Sequence, residues 1–113
     1  MSSYVNRRVT HTGGDTTYVP LNRWSQPGNY SFQVITGPVD VTATLEQVNR
    51  EDGDAATATF QAFEVTNSAG TSSVSTGLAA GLYKAVNLPA ECLDVTSAGA
   101  ADIQIMQNGS SGG

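Results

Sequence analysis

The residues that could carry acid–base or nucleophilic chemistry are few in this chain. Its 113 residues include one histidine, His11, and one cysteine, Cys92. A catalytic nucleophile needs a base held against it and a third group that orients the base. His11 instead stands beside a Gly-Gly turn in a polar, basic segment, so we expect no catalytic role for it. Cys92 has no basic neighbour, which predicts a small buried hydrophobe and not a reactive thiol.

Residues suited to binding a metal ion are equally scarce. One histidine and one cysteine do not make a zinc site. Glu51, Asp52 and Asp54 cluster in a polar loop and carry the oxygen atoms that calcium prefers, but their spacing matches no known calcium motif. A solvated acidic turn is therefore the favoured interpretation, and we expect no metal and no cofactor.

The composition indicates a small β domain. Charged residues make up 13% of the chain, about half of the ~25% usual in globular proteins. The sequence holds 13 Thr, 11 Ser and 11 Val, whereas a disordered acidic tail would have more charge and less Val. No apolar run approaches the ~18 residues that a membrane span needs, and residues 1–8 lack the apolar stretch of a signal peptide.

Alternating apolar and polar residues predict short antiparallel strands with one buried face. The alternation is clearest over 30–36 and 39–46, and it returns over 82–88 and 101–105. Frequent Gly and Pro turns separate about seven to nine such strands, and no segment carries a helical apolar stripe. We therefore predict an all-β fold: a single antiparallel β-sandwich, jelly-roll or immunoglobulin-like, with an extended N-terminal arm.

The inward-facing positions of these strands predict the core. Between residues 56 and 65 the alternation changes phase, which predicts a β-bulge near Ala62. The expected core residues are Tyr30, Phe32, Val34, Val39, Val41, Leu45, Phe60, Val86, Leu93, Val95, Ile103 and Ile105.

The charge divides the chain unevenly. Residues 1–24 hold three Arg and one Asp, a net +2, and residues 25–113 hold two cations and nine acids, a net −7, which together give −5. We divide the chain into an N-terminal arm or peripheral strands (1–27), a β-sandwich body (28–108) and a flexible Gly/Ser tail (109–113). The net charge argues against a nucleic-acid partner, because such binders need positive surface.

The N-terminal segment admits several interpretations: a solvated arm, an arm that docks on an acidic partner or a neighbouring copy, or a first strand on its own sheet. We favour docking, because aromatic residues and arginine dominate interface energies. The candidate interface residues are Tyr4, Arg7, Arg8, Arg23 and Trp24.

The chain resembles the small virion structural proteins of tailed bacteriophages, in particular head decoration (cement) proteins. The resemblance covers about residues 28–108 and rests on Thr- and Val-rich short strands, Gly-x-Tyr strand entries at 28–30 and 81–83, and alternating strands that end on Gln47 and Gln107. A basic N-terminal segment and a Gly/Ser tail accompany them. The resemblance implies a non-enzymatic protein of the virion, present in many copies as a homo-oligomer and bound to the outer surface of the major capsid protein.

Two alternatives remain open. Tail, adaptor and head-fibre proteins share the same style, so the position within the virion is not fixed. The other alternative is a small β-sandwich that binds carbohydrate or peptide; such modules commonly present an aromatic-rich surface, and the sequence offers few aromatic residues for one. No membrane partner is expected in either case.

Overall fold

The computed structural model describes residues 5–21, 30–46, 57–85 and 90–107, and these form an all-β structure. Within these ranges there is no α-helix, and hence none that is long and apolar enough to cross a membrane. The nine strands are β1 (Val5–His11), β2 (Asp15–Pro20), β3 (Tyr30–Thr36), β4 (Asp40–Thr44), β5 (Glu64–Asn67), β6 (Ser72–Val74), β7 (Gly81–Ala85), β8 (Cys92–Ser97) and β9 (Ala101–Gln107).

The strands form two antiparallel sheets packed face to face, which confirms the predicted β-sandwich. The larger sheet has six strands in the order β1-β9-β3-β7-β5-β6, and the smaller has three in the order β2-β8-β4. We call them the large sheet and the small sheet. The apolar faces of both sheets enclose one core, as the period-2 alternation predicts.

One two-stranded ribbon runs through both sheets. In the large sheet β1 pairs with β9 up to His11 and Ala101, and in the small sheet β2 pairs with β8 from Asp15 and Ser97. Residues 12–14 separate β1 from β2, and residues 98–100 separate β8 from β9. Because both gaps are three residues long, the pairing register of the ribbon is the same in the two sheets. The ribbon therefore bends at this point and passes from one sheet into the other.

A third segment follows the ribbon on its other side. β3 pairs with β9 in the large sheet and β4 pairs with β8 in the small sheet, with a register shift between Val34 and Thr36. Gly37 lies at the bend between β3 and β4. A Cβ atom at Gly37 would stand 2.5 Å from the carbonyl oxygen of Leu78, so the close approach of the two backbones requires glycine here.

The chain also changes sheets near residues 61–64, and the bulge predicted near Ala62 is not what the structure shows. Gln61 bridges to Ala43 beside the small sheet, whereas β5 belongs to the large sheet. The change in the phase of alternation between residues 56 and 65 thus marks the point where the chain leaves the small sheet and joins the large one. Buried Ser75 holds this crossing: its N–H donates to the Phe63 carbonyl at 2.8 Å and its hydroxyl donates to the Val41 carbonyl.

Most of the predicted core is confirmed. The buried members are Tyr30, Phe32, Val34, Val39, Val41, Leu93, Val95, Ile103 and Ile105. Leu45 was a wrong prediction: it is 73% exposed, because β4 ends at Thr44 and the alternation does not continue beyond it. Phe60 is half-buried, and Val86 lies outside the described residues.

The N-terminal segment forms peripheral strands wherever it is described. β1 and β2 are edge strands of the large and small sheets, and Val9, Val19 and Leu21 are buried in the common core. Residues 5–21 are therefore not the extended arm expected from the sequence. The arm was predicted from the uneven charge. Burial of Val9, Val19 and Leu21, together with the pairing of β1 and β2, stabilises the segment on the sandwich more than its charge favours an extended arm.

Candidate functional site

The outer face of the large sheet carries both exposed apolar and exposed polar side chains. Side chains that are directly opposite in neighbouring strands lie on the same face, so the pairing registers place Met106, Ser31, Lys84 and Thr66 in one row across β9, β3, β7 and β5. A second row, two residues along each strand, carries Gln104, Gln33 and Leu82.

Between these rows lies a groove of about 490 Å³. Leu82 and Met106 supply its exposed apolar surface, at 54% and 45% exposure. The β5–β6 turn forms one wall, in which the Asn67 side chain accepts hydrogen bonds from the backbone N–H groups of Ala69 and Thr71, both at 3.0 Å. The groove therefore has a floor of regular sheet and a wall fixed by its own hydrogen bonds.

Of the two cations that the described residues place on this face, Arg8 is paired with a carboxylate and Lys84 is not. Arg8 forms a two-pronged ion pair with Asp102, with nitrogen–oxygen distances of 2.5 and 2.6 Å. These hydrogen bonds lower the pKa of Asp102 and raise the pKa of Arg8. Lys84, the single lysine of the chain, forms no ion pair or hydrogen bond with any described residue.

His11 is buried where the ribbon bends, contrary to its expected place in an exposed segment. Its imidazole is 4% exposed and lies between the sheets. Nδ1 is 2.7 Å from the Ser97 hydroxyl, and Nε2 is 2.8 Å from the Thr17 hydroxyl. Because a hydroxyl group can either donate or accept a hydrogen bond, the two hydroxyl groups satisfy both ring nitrogens. This arrangement cross-links the sheets, and neither ring nitrogen is left for a substrate.

Cys92 is fully buried, as predicted from the sequence. Its side chain is 0% exposed, and burial raises the pKa of the thiol to about 11. A thiol of this kind stays protonated near neutral pH and reacts slowly. In the described part of the chain, His, Cys, Asp and Glu also form no group of three that could hold a metal ion.

The small sheet presents a different outer face, with one aromatic pair. Tyr18 of β2 stacks on Phe60, with ring centroids 5.7 Å apart and planes inclined by 29°. Both side chains are half-buried. Because each ring covers part of the other, this pair anchors the segment around Phe60 to the sheet.

The structure places two of the five interface residues predicted from the sequence. Arg7 and Arg8 are exposed on β1, at the edge of the large sheet; Tyr4, Arg23 and Trp24 lie outside the described residues, as does the Glu51–Asp54 loop. No protein-family model, curated protein sequence or solved structure matches this chain.

The groove residues were missed in the sequence. Leu82 and Lys84 share a strand face, and alternation alone could have paired them against Tyr83 and Ala85. Leu82 is more apolar than Lys84, Tyr83 or Ala85, however, so hydrophobicity alone predicts that the Leu82 side chain faces the core. Its exposure follows from Ala85, which is buried opposite Tyr30 in the core.

Proposed function

We propose that this chain is a non-enzymatic structural protein of a bacteriophage virion. More specifically, we propose a decoration protein that binds the outer surface of the major capsid protein and stabilises the shell. The proposal joins the sequence resemblance to one feature of the fold, the outer face of the large sheet.

The exposed apolar side chains of that face carry the proposal. Leu82 and Met106 are 54% and 45% exposed, although each stands on a paired strand with a filled core behind it. Exposed apolar side chains set among polar ones are common at protein contact surfaces.

The burial and stacking of the aromatic rings favour protein contact over carbohydrate binding. Sugar-binding modules present an exposed ring face. Of the described aromatic side chains, Tyr30 and Phe32 are buried, and Tyr18 and Phe60 stack on each other. Tyr83 donates its hydroxyl to the Ala79 carbonyl at 2.7 Å and packs against the core.

The test is quantitative analysis of particles purified from the native source. We expect the chain to co-purify with full heads through a density gradient, in a fixed ratio to the shell protein measured by mass spectrometry. Cryo-electron microscopy should show it as ordered copies on the outer surface. Particles stripped of the chain should release DNA at a lower temperature, and adding the purified chain back should restore the original temperature.

Two results would contradict the proposal. Absence of the chain from purified particles would exclude any virion role. A few copies confined to the tail or neck would exclude decoration and support a tail or adaptor component instead.

A further inference from the structure

The groove on the large sheet contains polar side chains that have no partner within the described structure. Ser31, Gln33 and Lys84 make no side-chain hydrogen bond or ion pair with any described residue. They are neighbours, since Lys84 lies directly opposite Ser31 and Gln33 follows two positions along β3. A hydroxyl, an amide and an ammonium group therefore face solvent together.

Apolar contacts alternate with these polar groups. Met106 lies opposite Ser31 on one side, and Leu82 lies opposite Gln33 on the other. Opposite side chains have Cβ atoms about 4.5–5.5 Å apart, so one ligand could touch an apolar and a polar group within each row. The groove thus offers apolar contact, amide hydrogen bonding and one positive charge.

This combination fits an extended peptide that carries a carboxylate. The primary amide of Gln33 both donates and accepts, which matches a peptide group. The side-chain N–H of Gln104 donates to Asn6 Oδ1, with a nitrogen–oxygen distance of 2.5 Å. The side-chain oxygen of Gln104 therefore remains able to accept a hydrogen bond from a ligand N–H. Lys84 is positioned to pair with an acidic side chain, and Leu82 and Met106 to contact an apolar one.

Other classes of ligand fit less well. A nucleic acid would need several unpaired cations, and of the two cations on this face Arg8 is already bound to Asp102. A glycan would need an exposed ring face. The two described aromatic residues that line the groove, Phe32 and Tyr83, both belong to the inner face of the sheet, where Phe32 is 1% exposed and Tyr83 packs against the core.

We propose that the groove lined by Ser31, Gln33, Leu82, Lys84 and Met106 binds an extended segment of a partner protein in which an acidic residue has an apolar residue two positions away on either side, so that all three side chains face the groove. Lys84 pairs with an acidic side chain, and Leu82 and Met106 contact the neighbouring apolar ones. This inference deepens the proposed function by naming the contact surface and the chemistry of the partner.

The experiment uses the capped peptide Leu-Ser-Glu-Ser-Leu, in which Glu and Leu lie two positions apart and so face the same side of an extended chain. It is added to the isotopically labelled full chain and followed by NMR. We expect saturable shifts of the backbone amide signals of the groove residues and of the Gln33 side-chain amide. A matched peptide with Gln in place of Glu should bind about fivefold more weakly, as should the Lys84→Gln variant, since exposed ion pairs contribute modestly. Raising the salt concentration should weaken binding of the Glu peptide only.

Lys84→Arg is the matched control, because it keeps the charge and should keep the affinity. Both variants should retain the wild-type melting temperature, since the side chain is exposed. The inference is overturned by an absence of shifts at millimolar peptide, by shifts on another face, or by equal affinities of Lys84→Gln and wild type. It is also overturned if the groove signals shift with protein concentration alone, which would show a second copy as the occupant. Particle analysis tests the proposed function separately, so either can fail without the other.

Discussion

Replacing Phe32 with alanine tests the core on which the whole sandwich depends. The ring is 1% exposed, and its centroid lies 5.6 Å from that of Tyr30 and 6.2 Å from that of Phe63. Phe→Ala substitutions in protein cores cost about 3–5 kcal/mol. We expect the upper half of this range, because two aromatic contacts of about 0.5–1.5 kcal/mol each are lost with the ring.

A loss of about 4 kcal/mol is a large part of the ~5–15 kcal/mol that stabilises a typical domain. For a chain of this size it lowers the melting temperature by roughly 15 °C. Urea unfolding followed by far-UV circular dichroism should show a lower midpoint with an unchanged slope, because the surface exposed on unfolding is nearly the same.

Leu82→Ala is the matched control on the neighbouring strand β7. Leu82 is 54% exposed on the opposite face of the sheet, so its truncation should cost less than about 1 kcal/mol. Equal losses for the two variants, or a loss below about 1 kcal/mol for Phe32→Ala, would refute the assignment of the inner and outer faces.

Four further predictions follow from the described contacts. His11→Ala leaves two hydroxyl groups without their partner and should lower the free energy of unfolding by about 2–4 kcal/mol in urea; an unchanged midpoint would contradict the cross-link between the sheets. Deleting residues 2–12 removes β1 and its seven-residue pairing with β9, so the melting temperature should fall steeply; unchanged melting would restore the arm interpretation. Alkylation of Cys92 by iodoacetamide at pH 8, followed by mass spectrometry, should be far slower in the folded protein than in urea, since the thiol pKa of about 11 leaves little thiolate. The ion pair with Arg8 lowers the pKa of Asp102, so Asp102→Asn should be less stable than wild type near neutral pH, and the difference should vanish as the pH falls through that lowered pKa.

Local patterns predicted the strands well, because alternation is a property of consecutive residues. β3 and β9 were found at nearly their observed bounds, since each alternates without interruption over 30–34 and 101–105. Leu45 shows where alternation alone fails to predict burial: the alternation of residues 39–45 continues past Thr44, the last residue of β4 that pairs with β8. Where a strand ends depends on its partner, which the local sequence does not contain.

Contacts between distant residues were not predicted. His11 is buried because Ser97 and Thr17 supply hydroxyl groups, and Ser97 is 86 positions away. The groove was missed for a similar reason, since it combines Lys84 with Gln33 and Met106 from two other strands. Each of these side chains is ordinary in its own strand, and only the strand order brings them together.

The bent ribbon also determines when the chain can fold. Its second half comprises β8, the central strand of the small sheet, and β9, which lies between β1 and β3 in the large sheet. The ribosome makes both after every other described strand. Until residues 92–107 are synthesised, β1, β2 and β4 lack the strand beside which each lies. β3, β5, β6 and β7 can pair with one another before then, but the two-sheet sandwich should be completed only once β9 has left the ribosome. Such long-range pairing is slow, and during that interval unpaired β-prone segments are exposed to neighbouring chains.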